Sequence, residues 1–165
     1  MAASMSDVLP GDARTGGGVQ GAARSVPVLA ASIAVFRDGK VLLAKRGKAP
    51  ALGLYSLPGG RIEPGEQMVD AVSRELAEEV GISARLVGFV DHVEHIEFSL
   101  DGSLRAHAVI CAFAGLWEAG EPRLSDEATA VLWVDPSNPG DLPMTRGLPD
   151  ILTKAASLVA ARGFA

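Results

Sequence analysis

Two runs of apolar and β-branched residues open the patterned part of the chain. Val28 to Phe36 and Val41 to Ala44 are separated by Arg37-Asp38-Gly39-Lys40. An Asp-Gly pair between two apolar runs is a strong signal for a β-hairpin, so both runs are predicted to be strands. A shorter apolar segment, Leu54 to Leu57, ends at Pro58-Gly59-Gly60. This region is therefore predicted to form short strands joined by tight turns.

The spacing of apolar residues changes from strand to helix after Pro64-Gly65. The segment from Gln67 to Val80 has the period of an amphipathic helix. Its apolar positions form one stripe: Val69, Val72, Leu76 and Val80. Gly81 predicts the end of this helix, because glycine readily adopts the left-handed conformation of a C-terminal cap.

The second half of the chain repeats the alternation of strands and helix. Leu86 to Leu100 and Leu104 to Trp117 flank Asp101-Gly102-Ser103 and predict a long hairpin. Ala128 to Val134 is a further strand, and Leu148 to Ala161 a closing amphipathic helix. Strand pairs with one helix between them and another at the end predict an α/β fold, with a mixed sheet between helices.

The amino-terminal 25 residues have no such pattern. They are rich in Gly, Ala and Ser and cannot bury enough apolar surface to offset ordering, so residues 1–25 are predicted to be a disordered tail. They lack the basic and apolar regions of a secretory signal. The strongly apolar run from Val26 to Phe36 is too short to span a membrane. One folded domain over residues 26–165, without a membrane partner, is the expectation.

Composition narrows the class of partner. Fifteen basic and 20 acidic residues give a net charge of −5, which argues against binding a nucleic acid polymer through a basic surface. Cys111 is the single cysteine and cannot form an intramolecular disulfide, so a reducing, cytoplasmic environment is expected.

Three carboxylates crowd one side of the first predicted helix. At about 100° per residue, Glu75, Glu78 and Glu79 fall within an arc of roughly 100°, beside the apolar stripe. Like charges at this spacing cost a few tenths of a kcal/mol per pair. A bound cation would remove that cost, and Mg2+ prefers oxygen ligands of this kind. Arg74 precedes the cluster and could orient a carboxylate through a bidentate contact.

The loop before this helix complements the carboxylates. Gly59 and Gly60 allow a close approach of the backbone, and Glu66 lies near the positive end of the helix dipole. A glycine loop followed by a carboxylate-lined helix can hold a metal and a diphosphate. The predicted chemistry is metal-assisted attack of water on phosphorus.

These residues resemble the Nudix box, the pattern that defines a family of hydrolases. Every position of the pattern is filled: Gly60, Glu66, Arg74, Glu75, Leu76, Glu78, Glu79, Gly81 and Ile82. The resemblance implies an α/β/α sandwich with a mixed, partly antiparallel sheet between helices. It also implies hydrolysis of a small-molecule nucleotide, a nucleoside diphosphate linked to another moiety, with Mg2+ or Mn2+ as cofactor.

The resemblance also assigns roles to individual positions. It implies that Glu75, Glu78 and Glu79 are metal ligands, that Gly60 gives a backbone ligand or turn, and that Arg74 orients the carboxylates. Glu66 and Gly59 would support the site. The general base varies within the family, so Glu78, Glu79 and Glu127 all remain candidates. Tyr55 and Leu57 precede the box in a segment that often borders the substrate cleft.

The substrate is less strongly indicated than the family. The segment Gly53 to Gly60 looks like the branch that hydrolyses ADP-ribose and nucleotide sugars, which is the first expectation. Members that hydrolyse ADP-ribose typically carry a proline beyond the box, whereas this chain has none between Pro64 and Pro122. A nucleoside triphosphate pyrophosphohydrolase and a non-catalytic nucleotide-sensing module are the alternatives. Many members of the family are dimers, and the sequence itself leaves the oligomeric state open.

Overall fold

A computed structural model describes residues 26–164, so the predicted disordered tail at residues 1–25 lies outside the described residues. The chain forms seven strands and two helices over this range. In order they are β1 (Val28–Arg37), β2 (Lys40–Arg46), β3 (Tyr55–Ser56), β4 (Gly59–Arg61), α1 (Met68–Val80), β5 (Ser83–Phe98), β6 (Leu104–Ala119), β7 (Ala128–Val134) and α2 (Leu148–Ala161).

All seven strands belong to one mixed sheet. β1 lies at its centre and pairs in parallel with β6 from Val28 to Phe36. The remaining pairs are antiparallel: β5 lies outside β6, while β2 pairs with β1, β3 and β7. β4 joins the amino-terminal half of β1, where Gly59 lies opposite Ser32. This last pairing brings the glycine loop onto the sheet.

The two helices cover opposite faces of the sheet. Alternate residues of a strand point to opposite faces, and β1 therefore contributes to both halves of the core. Ile33 and Val35 pack with α1, whereas Ala34 and Phe36 pack with α2. The predicted α/β/α sandwich is thus confirmed.

The position of α1 corrects one detail of the predicted stripe. Val69 is exposed, because the buried face begins one turn later, at Ala71 and Val72. Glu79 completes that buried face together with Leu76 and Val80. A carboxylate thus occupies a position among the apolar residues that face the sheet. Within residues 26–164, neither helix is long and apolar enough to cross a membrane.

Candidate active site

Strand β4 brings the glycine loop against α1. Gly59 and Gly60 lie opposite Ser32 and Ala31 of β1. A Cβ atom at Gly59 would collide with the backbone of these β1 residues, and a Cβ atom at Gly60 would collide with the Glu75 carboxylate. Gly59 therefore requires glycine, because the β1 backbone cannot give way, whereas any side chain at Gly60 would force the Glu75 carboxylate to shift.

Arg74, at the middle of α1, organises the carboxylates around it. Its Nε and Nη2 donate to the two oxygens of Glu66, at 2.8 and 2.9 Å, in a bidentate contact. Nη1 donates to Glu75 at 2.7 Å and to Glu78 at 3.2 Å. The guanidinium of Arg74 lowers the pKa of Glu66 to about 2, so Glu66 is ionised at neutral pH. A further bond to the Arg61 carbonyl, at 3.1 Å, fixes the guanidinium to β4.

Glu79 differs from the other box carboxylates in its burial. It is only 6% exposed, and within residues 26–164 its carboxylate accepts one hydrogen bond, from the Gly59 N–H to Oε2 at 3.0 Å. Burial raises its pKa to about 7, because the charged form loses solvation that one N–H does not replace. The charge of Arg46 acts in the opposite direction. Glu79 is thus a carboxylate whose negative charge is incompletely compensated.

Glu127 lies at the rim of the same region, on the turn before β7. Its backbone carbonyl accepts from Gly47 N–H at 2.8 Å, and its Oε1 accepts from Lys48 Nζ at 2.7 Å. Its negative charge, like that of Glu75, acts to raise the pKa of Glu79. The end of β2 therefore brings two cations, Arg46 and Lys48, to the edge of the carboxylate cluster. Sequence reasoning gave neither a site role, although the basic Arg46-Gly47-Lys48 run directly after β2 was an available signal.

The two residues predicted to border the substrate lie towards the α2 side. Leu57 is 7% exposed and belongs to the core beneath α2, so it has little surface left for a ligand. Tyr55 is half-buried against the same core, and its backbone pairs with the segment before α2 through Pro143 and Thr145. Tyr55 thus lies where β3 meets that segment.

The side chains of the cluster are arranged around Arg74. Within residues 26–164, no three His, Cys, Asp or Glu side chains converge as a ready-made metal site. Glu66 and Glu75 are largely buried and satisfied by Arg74, while the Glu78 side chain is 64% exposed. The region combines fixed carboxylates, one under-compensated carboxylate, and two cations at its edge.

Comparison with known proteins identifies the family. The NUDIX domain profile matches residues 26–154. The chain is 31% identical over 112 residues to an ADP-ribose pyrophosphatase of Methanocaldococcus jannaschii, covering 68% of this chain and 64% of that protein. It is 32% identical over 131 residues to a CTP pyrophosphohydrolase of Escherichia coli, covering 73% of this chain and 89% of that protein.

The fold comparison agrees with the sequence comparison. The crystal structure of a MutT NUDIX hydrolase from Burkholderia pseudomallei superposes with a TM-score of 0.68 at 32% identity. The match covers 79% of this chain and 98% of that one. The chain therefore belongs to the NUDIX family, as the box predicted. The match to the archaeal relative spans slightly less than two thirds of that protein's length.

Proposed function

We propose that this protein is a divalent-cation-dependent hydrolase that cleaves the pyrophosphate bond of a nucleoside diphosphate derivative. The observation that carries the proposal is the buried Glu79 carboxylate, bonded by Gly59 and flanked by the carboxylates that Arg74 orders. Membership of the NUDIX family supports the same chemistry.

The donor chemistry of these residues suits a divalent cation, although within residues 26–164 three such side chains do not converge as a ready-made metal site. When it is ionised, the Glu79 carboxylate carries a negative charge that its single N–H donor leaves under-compensated. Because Gly60 has no Cβ, the Glu75 carboxylate lies directly against the glycine loop. Glu75, Glu78, Glu79 and the Gly60 carbonyl would hold Mg2+ or Mn2+, since all four offer the oxygen ligands that these ions prefer. Such an ion would neutralise charge on the pyrophosphate and lower the pKa of a bound water.

The chain's own residues supply orientation and proton transfer. Arg74 holds Glu66 and Glu75 in fixed positions, and Gly59 N–H orients Oε2 of Glu79. Three carboxylates are candidates to accept the proton of the attacking water. Oε2 of Glu78 is engaged by Arg74 and Oε1 of Glu127 by Lys48, so each must exchange a contact before it acts. The Oε1 atom of Glu79 requires no such exchange.

ADP-ribose or a related nucleotide sugar is the first substrate candidate. The archaeal relative named an ADP-ribose pyrophosphatase supports it. A nucleoside triphosphate is the second candidate, supported by the CTP pyrophosphohydrolase relative, which is matched over 89% of its length. The two differ in what is joined to the nucleoside phosphate, so their products distinguish them.

A product assay tests both candidates. Protein freed of metal with EDTA is incubated with ADP-ribose or with CTP, and Mg2+ or Mn2+ is then titrated in. AMP and ribose 5-phosphate from ADP-ribose support the first candidate, and CMP and pyrophosphate from CTP support the second. If neither is cleaved, both substrate candidates fail. If no nucleotide of a wider panel is cleaved while nucleotide still binds, the hydrolase proposal fails and a nucleotide-sensing module replaces it.

A further inference from the structure

The outer edge of β5 is separate from the site of the proposed hydrolysis. Within residues 26–164, β5 pairs with β6 alone and forms one border of the sheet. It runs for 16 residues, from Ser83 to Phe98. An edge strand presents backbone N–H and C=O groups that can pair with a further strand. A border of this length is therefore a potential pairing surface.

Apolar side chains lie exposed at both ends of this strand. The exposed fractions are 38% for Leu86, 52% for Phe89, 48% for Ile96 and 63% for Phe98. Phe89 lies opposite Phe113, whose side chain packs in the core beneath α1, so Phe89 is on the α1 side of the sheet. The pairing of β5 with β6 puts Leu86 and Ile96 on this same side of the sheet. Every second residue of a strand points to the same side, so Phe98 lies on the side of Ile96.

The middle of β5 carries charged and titratable side chains in a self-complementary order. Asp91, His92, Glu94 and His95 surround Val93 symmetrically. If two copies pair antiparallel about a two-fold axis at Val93, His92 of each copy lies opposite Glu94 of the other. Asp91 then lies opposite His95, so every titratable pair joins an acid to a histidine.

The same two-fold axis also matches the apolar ends. It brings the half of β5 that carries Leu86 and Phe89 beside the half of the second copy that carries Ile96 and Phe98. Two β-bulges between Leu86 and Asp91 add extra residues to the first half of β5. The apolar residues of the two copies therefore face one another as groups and not at equal distances in sequence from Val93. Because all four lie on the α1 side, they would cover one another on one face of a continuous sheet.

We propose that the β5 edge is a homodimer interface, in which two copies pair their β5 strands antiparallel about Val93. The charge order favours a second copy of this chain, because self-pairing about Val93 places an acid opposite each histidine without any further requirement on the partner's sequence. Cross-strand pairs of opposite charge and of apolar side chains each add stability, whereas like charges directly opposite destabilise.

Sedimentation velocity of the full chain over a roughly hundredfold range of concentration tests the proposal. The expected result is a concentration-dependent shift from the 17.0 kDa monomer to a species of twice that mass. Ile96→Lys should raise the dimer dissociation constant at least about tenfold, because it puts a charge into the apolar contact. Leu132→Lys is the matched control: Leu132 is an apolar strand residue, 38% exposed, on β7.

A charge exchange tests the register of the pairing. His92→Glu puts a carboxylate opposite Glu94 at both symmetric positions, and the dimer should weaken at least about tenfold. His92→Glu combined with Glu94→Lys restores opposite charges and should restore most of the dimer. Circular dichroism and thermal melting of each variant establish that it is folded. Recovery in the double variant distinguishes a pairing effect from damage to the monomer.

Two results would overturn the proposal. One is a full chain that stays monomeric over the whole concentration range. The other is a dimer that neither Ile96→Lys nor His92→Glu weakens. Neither result depends on hydrolysis, so failure of the dimer proposal and failure of the proposed activity are distinguishable.

Discussion

Glu79 combines a charge with a position among the residues that face the sheet. Its folded-state pKa of about 7 lies above its ordinary value of 4.5, so folding favours the neutral form. The resulting cost to metal-free stability is absent below about pH 4.5 and complete above about pH 7, where it reaches on the order of 3 kcal/mol. The site therefore retains a carboxylate that destabilises the metal-free folded state.

Replacing this carboxylate by an amide should stabilise the metal-free protein. Glu79→Gln keeps an acceptor for Gly59 N–H and removes the buried charge. In EDTA, we expect its melting temperature to exceed that of the natural protein at about pH 8, with the difference shrinking towards about pH 5. Thermal melting across this pH range measures the difference. A difference independent of pH would contradict the assigned cause.

The same substitution should remove most of the activity. Glu79→Gln takes away negative charge where the proposed mechanism needs it, so we expect turnover to fall on the order of a hundredfold or more. Initial rates at saturating substrate and Mg2+ measure this. Glu118→Gln, at an exposed carboxylate of β6, is the control and should keep full activity. Near-natural turnover by Glu79→Gln would exclude a metal-binding or proton-accepting role.

A substitution at Gly60 tests the packing of the site without changing its charge. In Gly60→Ala the added methyl group would overlap the Glu75 carboxylate, which must then shift from the position in which it accepts from Arg74. We expect activity to fall at least about tenfold, because a small displacement of a catalytic group is costly. Gly88→Ala is the control, since its methyl group would meet only Leu158, at an ordinary 3.7 Å. Equal activities would show that the Glu75 position is not critical.

At the scale of elements, the end of α1 depends on one glycine. Gly81 has φ of +72°, and its N–H bonds back to the carbonyls of Leu76 and Ala77. In Gly81→Ala, strain from positive φ is added to a collision with the Arg123 guanidinium, 2.6 Å away. We expect a loss of more than about 1 kcal/mol in unfolding free energy. Gly163→Ala has a similar φ of +78° with open space around it, and should lose less. Urea unfolding of both variants gives the two losses in unfolding free energy. Their difference measures what the contact with Arg123 adds to the strain of positive φ.

The local sequence pattern was sufficient to predict where strands and helices lie along the chain, but not how the strands are arranged in the sheet. The strand Ala128–Val134 and the helix Leu148–Ala161 agree with their predicted bounds. The first hairpin and the Gly81 cap are equally local, because a turn or cap residue sets each. The parallel pairing of β1 with β6, and the addition of β4 to β1, join segments far apart in sequence. Apolar periodicity carries no information about which strands become neighbours.

Local sequence information was limited in the same way at the candidate site. A helical wheel sufficed to bring Glu75, Glu78 and Glu79 together, because they share one helix. It could not show that Glu79 is the buried member, since that depends on how α1 lies against the sheet. The contact between Lys48 and Glu127 spans 79 residues and exists because β2 pairs with β7. Sequence motifs thus predicted the carboxylates, and tertiary packing determined which of them differ.

On the scale of the whole molecule, a cation held by α1 would also be bound to the folded state alone. Unfolding separates Gly60 from Glu75 and Glu79, so the native state should gain about 2.7 kcal/mol when the free metal is a hundredfold above its dissociation constant. We therefore expect Mg2+ or Mn2+ to raise the melting temperature, and Glu75→Gln to reduce that rise. KCl at matched ionic strength controls for screening, and Glu118→Gln for loss of charge elsewhere. Melting curves that Mg2+ and Mn2+ leave unchanged would contradict a divalent-cation site without any assumption about the substrate.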